Sequence, residues 1–346
     1  MEVSDLEYEL PEELIAQFPV EPRDASRLLI LPRGGGEPRH LHFGDLTDLL
    51  SPGDLLVLND SRVIPARLVG RKESGGRIEV LLVEPVSGSV PGGPARWRAM
   101  AQASKPIRIG ARLDFDGLCA EVEGVEGEGF YVIRFDREGQ ALQRELDRVG
   151  RIPLPPYIRR EPGDADRDRY QTVVAREPGS IAAPTAGLHF TPELLARLDA
   201  RGVLRTTVTL HVGPGTFLPV RTQRLEEHRM HAERYEVSGG TAAAFEATRA
   251  RGGRVVAVGT TAVRTLESSF ADGGLRPGTG RTDIFIRPGH VFRAVDGLVT
   301  NFHLPRSTLL ALICAFGGTG RVLAAYRNAV AARYRFFSYG DAMAIL

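Results

Sequence analysis

The chain changes texture twice, and that limits its fold more than any single motif does. Between Ala66 and Gly150 it breaks into short β-type runs separated by glycines. On either side it alternates apolar strands with helical segments. The runs 66–69, 77–83, 97–101, 111–115, 119–125 and 130–135 predict six short strands, enough for a small barrel or sandwich. Strand-rich sequence flanked by α/β sequence is the pattern of an insertion. We therefore expect one α/β unit built from residues 1–65 plus 150–346, interrupted by a β-barrel over 66–149. The Gly/Ser/Pro-rich stretch 85–94 reads as a surface loop.

The flanks carry the α/β signal. Pro11 suits a first helical turn that continues to Gln17, and 27–31 reads as a strand. Asp45 suits the cap of a helix running to Leu50. The apolar run 55–58 fits a buried parallel strand. Further on, Thr191-Pro192-Glu193 opens a helix whose Leu194, Leu195 and Leu198 share a face and which stops at Gly202. A β-branched strand follows at 206–212, and Thr241 suits the cap of a helix ending at Gly252. The run 254–258 leads through Gly259-Thr260-Thr261 into another helix. Strands are expected at 282–286 and 298–302, a helix from Ser307 to Phe316, and a last helix over 321–333. Alternation of this kind implies an α/β/α sandwich.

Composition excludes several classes. Of 346 residues, 42% are hydrophobic and 25% charged, close to soluble globular averages and far from disordered or fibrous chains. The longest wholly apolar run, 309–316, is too short to span a membrane, and the acidic N-terminus is unlike a targeting peptide. Cys119 and Cys314 cannot form a disulfide framework or a four-cysteine zinc site. A cytoplasmic protein without a membrane partner is expected. Net charge is +1, but residues 1–65 are acidic and residues 150–346 carry the basic excess. That asymmetry suits a polyanionic partner; an ordinary solvated surface would show it too.

Familiar nucleotide and hydrolase signatures are missing: there is no Walker loop, no closed G-x-G-x-x-G and no G-x-S-x-G elbow. Polar loops instead cluster at strand ends, at 184–190, 211–217, 259–261 and 301–308. In open α/β sheets ligands bind outside the strand carboxyl ends, and three of these loops carry a histidine: His189, His211 and His303. The segment 228–233 adds His228 and His231, which would share a face on a helix. They lack a credible third and fourth ligand, so no metal is expected. Acid–base work, substrate hydrogen bonding and a structural tie all remain open for this pair.

Several segments resemble the S-adenosylmethionine:tRNA ribosyltransferase-isomerase family of queuosine biosynthesis. They are LPEELIAQ at 10–17, PGDLLVLNDSR at 52–62, RIPLPPYI at 151–158, YQT at 170–172, AAPTAGLHF at 182–190, TLHVG at 209–213 and GTF at 215–217. HRMHAE at 228–233, VGTT at 258–261, TNFHLP at 300–305 and YRFFSYGD at 334–341 complete the match. Ser61, Pro214 and His290 depart from the expected pattern without removing an ionisable group. The resemblance implies an α/β/α sandwich interrupted by a β-barrel. It implies transfer of the ribosyl group of S-adenosylmethionine to 7-aminomethyl-7-deazaguanine at the tRNA wobble position. Isomerisation then gives epoxyqueuosine, adenine and methionine. S-adenosylmethionine is a substrate there, so no cofactor is expected, and the protein is expected to act as a monomer.

That chemistry sets demands on side chains. A sulfonium acidifies the neighbouring C5′ protons, so a base must reach them. The attacking amine must lose a proton, and departing adenine must gain one. Histidine suits all three tasks near neutral pH. The candidates are His189, His211, His228, His231 and His303, with Glu233 and Asp341 as orienters. Thr185, Thr216, Thr260 and Asn301 are candidates for hydroxyl groups or the adenine edge. Gly187, Gly213 and Gly215 would admit a ligand close to the backbone. Ser307 opens a helix, and Arg62, Arg264 and Arg306 stand beside the loops, suited to a carboxylate. Two other classes are weighed beside this one: a non-catalytic RNA-binding or translation-associated protein, and an ordinary methyltransferase.

Overall fold

The computed structural model describes residues 1–86, 95–127, 129–217, 220 and 222–346, the side chains of Thr216 and Phe217 excepted. Most of the loop expected over 85–94 lies outside the described residues. In chain order the strands begin with β1 (Arg27–Leu31), β2 (Arg39–His42), β3 (Leu55–Asn59) and β4 (Ser61–Val63). Next come β5 (Arg67–Lys72), β6 (Arg77–Pro85), β7 (Arg96–Ala103), β8 (Arg112–Phe115), β9 (Leu118–Gly127), β10 (Phe130–Phe135) and helix α1 (Gly139–Val149). Then follow α2 (Asp164–Arg169), β11 (Glu177–Ser180), α3 (Pro192–Ala200), β12 (Leu204–Leu210), β13 (Glu233–Val237) and α4 (Gly239–Ala250). β14 (Val255–Val258), α5 (Thr260–Ser269), β15 (Phe270–Ala271), β16 (Gly274–Leu275), β17 (Gly278–Thr282) and β18 (Gly297–Asn301) precede α6 (Thr308–Gly317), α7 (Thr319–Ala331) and β19 (Ala342–Ile345).

Nine strands form one sheet in the order β17-β13-β12-β3-β14-β18-β19-β1-β2. Its centre is parallel: β3 lies between β12 and β14, and β14 pairs β18. Alternation along each central strand feeds two cores. Leu55 and Val57 face the side covered by α4 to α7, with Phe245, Leu266 and Tyr326. Leu56 and Leu58 face the side covered by α3, with Phe43, Phe190 and Leu198. A strand buried on both faces needs apolar residues throughout, which is why 55–58 reads as it does. The sheet is thus sandwiched between helical layers, as expected.

The six strands β5 to β10 close into a barrel in the order β10-β7-β6-β5-β8-β9. Its interior holds Leu68, Val80, Phe115, Val122 and Ile133, each on alternating inward positions. Where the chain enters and leaves this part, Arg67 and Arg151 form an antiparallel bridge.

Several local expectations are corrected. Pro11 opens a short 3-10 turn, Glu12–Leu14, instead of a helix to Gln17, and Asp45 lies inside the 3-10 helix Phe43–Asp48, where it accepts from the His42 N–H. Ser238, not Thr241, caps α4; the Thr241 hydroxyl donates to the Thr207 carbonyl. The strand expected at 282–286 lies earlier, as β17, because Glu233–Val237 pairs with Gly278–Thr282. Helix α1 lies where the sequence pattern predicts no helix.

No single helix among the described residues is long and apolar enough to cross a membrane. α6 and α7 pass that test only as a pair bent by 114°, and Leu310 to Cys314 of α6 are buried in the core.

Candidate functional site

A cleft opens outside the carboxyl ends of the central strands. Its walls come from 182–186, from Gly259, Thr260 and Thr261 after β14, from 300–304 after β18, and from Phe337 and Ser338. Val212, Tyr157, Tyr170, Arg264, Ser307 and Leu309 complete it. Gly259 makes the turn possible: its φ is +87°, which a side chain would strain, and its N–H donates to the Val299 carbonyl at 2.7 Å. Gly259, Thr260 and Thr261 thus bring the start of α5, where a helix has unpaired N–H groups, to the cleft wall.

The cleft is unusual in its polar atoms. The Asn301 amide donates to the Phe337 carbonyl at 2.9 Å, which fixes its orientation and leaves Oδ1 without a partner. Thr261 Oγ1 is also buried without a partner, and the Tyr170 hydroxyl is buried near Ser338 and Ala183. Buried polar atoms in proteins are normally satisfied, so Asn301 Oδ1 and Thr261 Oγ1 are polar atoms that the fold itself leaves unmatched along this wall. Among the described residues no carboxylate lines it. Phe337 holds a φ of +70°, a strained conformation for a bulky residue, and such strain concentrates at functional sites.

Of the expected site residues, Thr185, Thr260, Arg264, Asn301, His303 and Ser307 line this cleft. His303 is buried, with Nε2 2.9 Å from Thr300 Oγ1, and burial pushes it down to about 3. Ser307 accepts from the Leu310 N–H and donates to the Leu304 carbonyl, capping α6. Arg264 is not a free cation. It forms a buried ion pair with Glu233 and donates to the Ile284 and Thr282 carbonyls. Glu233 does not orient a histidine: its other oxygen accepts from the Gly213 N–H at 2.7 Å.

His189 lies outside the cleft lining. Ser26 Oγ sits 2.7 Å from its Nδ1 and Asn301 Nδ2 3.2 Å from its Nε2, and the ring stacks on Phe43. Burial pushes it down to about 3. It ties Ser26, just before β1, to the end of β18. Asp341 likewise serves the fold, accepting from the Arg27 and Arg335 N–H groups and pairing with the Arg27 guanidinium.

His211 and His231 line a second, small cavity with Gly213, Glu233 and Arg234, closed by Glu84 and Arg98 of the barrel. His211 Nδ1 is sealed without a partner, and burial, then the Arg234 charge, lowers its affinity for a proton. Gly215 lies against the His231 ring. The helix considered for 228–233 does not form; His228 packs edge-on against Phe285 instead, away from both cavities. The two cavities share a wall, since Arg264 lines one and its partner Glu233 the other.

The remaining candidates fall elsewhere. Arg62 is exposed on β4, Gly187 packs on Thr172, and exposed Arg306 pairs with Glu7. The Thr216 side chain lies outside the described residues. Among the described residues no group of three or more His, Cys, Asp or Glu is placed to hold a metal.

Sequence reasoning missed Tyr157, Tyr170, Phe337 and Ser338. Tyr157 OH lies 2.7 Å from Ser338 Oγ, and burial pushes the phenol up to about 12. Tyr339 fixes this loop from behind by donating to Asp166 Oδ1 at 2.7 Å. Burial alone would raise the Asp166 carboxyl, but the Arg160 guanidinium, the Tyr339 hydroxyl and the Gly163 N–H hold it below its ordinary value. A depressed folded value stabilises above the unfolded one, and that stability is lost as pH falls below about 4. Asp166→Asn should therefore flatten the acid limb of a stability-against-pH curve. An unchanged limb would show that the carboxylate is not held by these donors.

Comparison with known proteins agrees with this architecture. The model of a family described as queuosine biosynthesis protein matches residues 3–345. A relative named S-adenosylmethionine:tRNA ribosyltransferase-isomerase, from Anaeromyxobacter sp. (strain Fw109-5), is 70% identical over 99% of this chain and 98% of its own. One of the same name from Geobacter sulfurreducens is 53% identical over the full length of both. The crystal structure of S-adenosylmethionine tRNA ribosyltransferase from Thermotoga maritima is 41% identical, with a TM-score of 0.57, over 99% of this chain and 100% of that one. With a family model running almost from end to end and full-length relatives more than half identical, this chain belongs to the queuosine biosynthesis protein family.

Proposed function

We propose that this protein is an S-adenosylmethionine:tRNA ribosyltransferase-isomerase, the activity for which its full-length relatives are named. It transfers and isomerises the ribosyl group of S-adenosylmethionine onto 7-aminomethyl-7-deazaguanine in tRNA, giving epoxyqueuosine, adenine and methionine. The observation that carries the reading at the level of the site is the cleft lining. Aromatic side chains and an amide oxygen without a hydrogen-bond partner, with no carboxylate among the described lining residues, suit a sulfonium without fixing it in an ion pair. A carboxylate there would hold the ground state and oppose the loss of positive charge from sulfur.

The methionine carboxylate is assigned to the N–H groups at the start of α5, beside Thr260. Arg264, already neutralised by Glu233, shapes the wall instead. Thr185, Asn301 and Ser307 serve hydroxyl or base edges. The aminomethyl group is assigned to the side of the second cavity, with His211 or His231 taking the amine's proton. No metal or further cofactor takes part. The protein works in the cytoplasm as a monomer, with residues 1–65 and 150–346 forming one unit and 66–149 the other.

A non-catalytic RNA-binding protein has no use for the orphaned polar atoms of the cleft, and a methyltransferase would release neither adenine nor methionine. Incubation with S-adenosylmethionine and tRNA carrying the aminomethyl base should yield both. Release of S-adenosylhomocysteine, or of nothing, would refute the assignment. Residues 150–346 are further expected to supply most phosphate contacts, since they carry the basic excess. Neutralising one contacting arginine there should lower the slope of log K against log salt by about one. Slopes unchanged across a series of such variants would move the contacts to the barrel.

A further inference from the structure

Five histidines are candidates for the base that removes a C5′ proton, and the fold separates them. His189 has both ring nitrogens engaged, and its ring is absent from the cleft lining. His211 and His231 line the other cavity, and His228 lines neither. His303 alone among the five lines the cleft.

Its ring is held in one orientation. The His303 N–H donates to the Tyr326 hydroxyl at 3.2 Å, and the Tyr8 hydroxyl donates to the His303 carbonyl. Tyr8 belongs to the N-terminal segment and Tyr326 to α7, so two distant parts of the chain clamp this backbone. The side chain meets Thr300 Oγ1 through Nε2 at 2.9 Å. The Thr300 hydroxyl has a single proton, and it has another acceptor, the Asn301 carbonyl at 3.3 Å. When that proton goes to the Asn301 carbonyl, Thr300 accepts from Nε2–H. Nδ1 then carries the lone pair, and among the described residues it has no hydrogen-bond partner.

We infer that His303 is the catalytic base of the proposed reaction and takes the C5′ proton through Nδ1, with Thr300 as the positioning residue that sets its tautomer. The inference rests on the reading of the cleft as the S-adenosylmethionine site. In the step, the C5′–H bond breaks and an N–H bond forms at Nδ1. The electron pair stays on C5′ beside the sulfonium, giving an ylide. The positive charge passes to the imidazole, and departing adenine later needs one proton.

Burial disfavours imidazolium at His303. That penalty applies to creating a charge. With a sulfonium already bound, the transfer moves one positive charge within the cleft and adds none. A buried neutral imidazole also stays unprotonated at neutral pH, so the lone pair is available whenever substrate arrives.

The test uses the full-length protein in three measurements. Adenine and methionine release is followed for wild type and His303→Gln, S-adenosylmethionine binding is measured by calorimetry, and ring tautomers are read from long-range ¹H–¹⁵N spectra of histidine-labelled wild type and Thr300→Val. Wild type should release both products, and His303→Gln should bind S-adenosylmethionine within a few-fold while kcat falls at least about 100-fold. The spectra should show His303 as the Nε2–H tautomer in wild type, with a larger Nδ1–H share and lower kcat in Thr300→Val. Turnover of His303→Gln within about tenfold of an active wild type would overturn the assignment and leave the reaction standing. If His303→Gln does not fold, the wild-type spectrum decides, and a protonated Nδ1 overturns it. A wild type that releases neither product removes the reaction and the assignment together.

Discussion

Replacing Arg264 by methionine will cost about 3–5 kcal/mol of stability, more than most single changes in this protein. The side chains of Arg264 and Glu233 are each only 6% exposed. Removing the guanidinium leaves a buried carboxylate with the Gly213 N–H as its remaining donor. A buried charge without its partner bears its full desolvation cost, whereas the intact pair stabilises little over an apolar one. Two consequences distinguish this from simple loss of packing. The double variant Arg264→Met/Glu233→Met should recover much of the loss, because no orphan charge remains. Adenine release should fall in the single variant, since the pair forms the wall between the two cavities. Denaturant melts of the three variants, with the release assay alongside, check both. A single variant melting with wild type would mean that water reaches the pair.

Gly340→Ala should be nearly as damaging, for a steric reason. A Cβ there would lie 2.5 Å from both the Arg335 carbonyl oxygen and the Phe336 carbonyl carbon. These are backbone atoms, so the turn itself must open. It carries Phe337, whose carbonyl holds the Asn301 amide, and Asp341, which anchors Arg27. Loss of roughly 1–3 kcal/mol, with a greater proportional loss of adenine release, is expected. Gly320→Ala is the matched control: it lies in α7, with nothing within 4 Å of its Cβ. There alanine should be neutral or stabilise by up to about 1 kcal/mol. Equal behaviour of the two variants would contradict the steric account.

How much of this was legible in advance follows from which forces are local. Residues 55–58 announce a strand buried on both faces because each of the four must be apolar. The barrel strands are marked by glycines that turn the chain between them. Helix α1 was hidden because few of its positions are buried, chiefly Leu142 and Leu146, and no side chain caps it. Ser238 and Thr241 are equally good capping residues by type. Only the tertiary contact of Thr241 with the Thr207 carbonyl separates them.

The site shows the same division. Polar loops at strand ends located the cleft, because strand order and turn chemistry are written locally. Which histidine faces it was not written locally: His189 and His303 sit in similar settings, each between apolar neighbours. Partners from residues 26, 43, 300 and 326 decide their environments. Tyr157, Tyr170 and Phe337 stood inside recognised segments, yet aromatic residues without ordinary acid–base chemistry read as packing. Their part in the cleft depends on a strained turn and on orphaned atoms, neither visible in residue order.

The position of β19 bears on how the chain reaches this state during synthesis. It pairs β18 on one side and β1 on the other. β1 ends at Leu31, and β19 begins at Ala342. The β1–β2 hairpin is made early but has no place in the sheet until residues 342–345 leave the ribosome. Until then its apolar edge, Leu28 to Leu31, waits unpaired, and such edges invite wrong pairing. Contacts so far apart in sequence also slow the final step. An early hairpin and a late partner strand thus leave this topology an interval in which its first edge is open to wrong pairing.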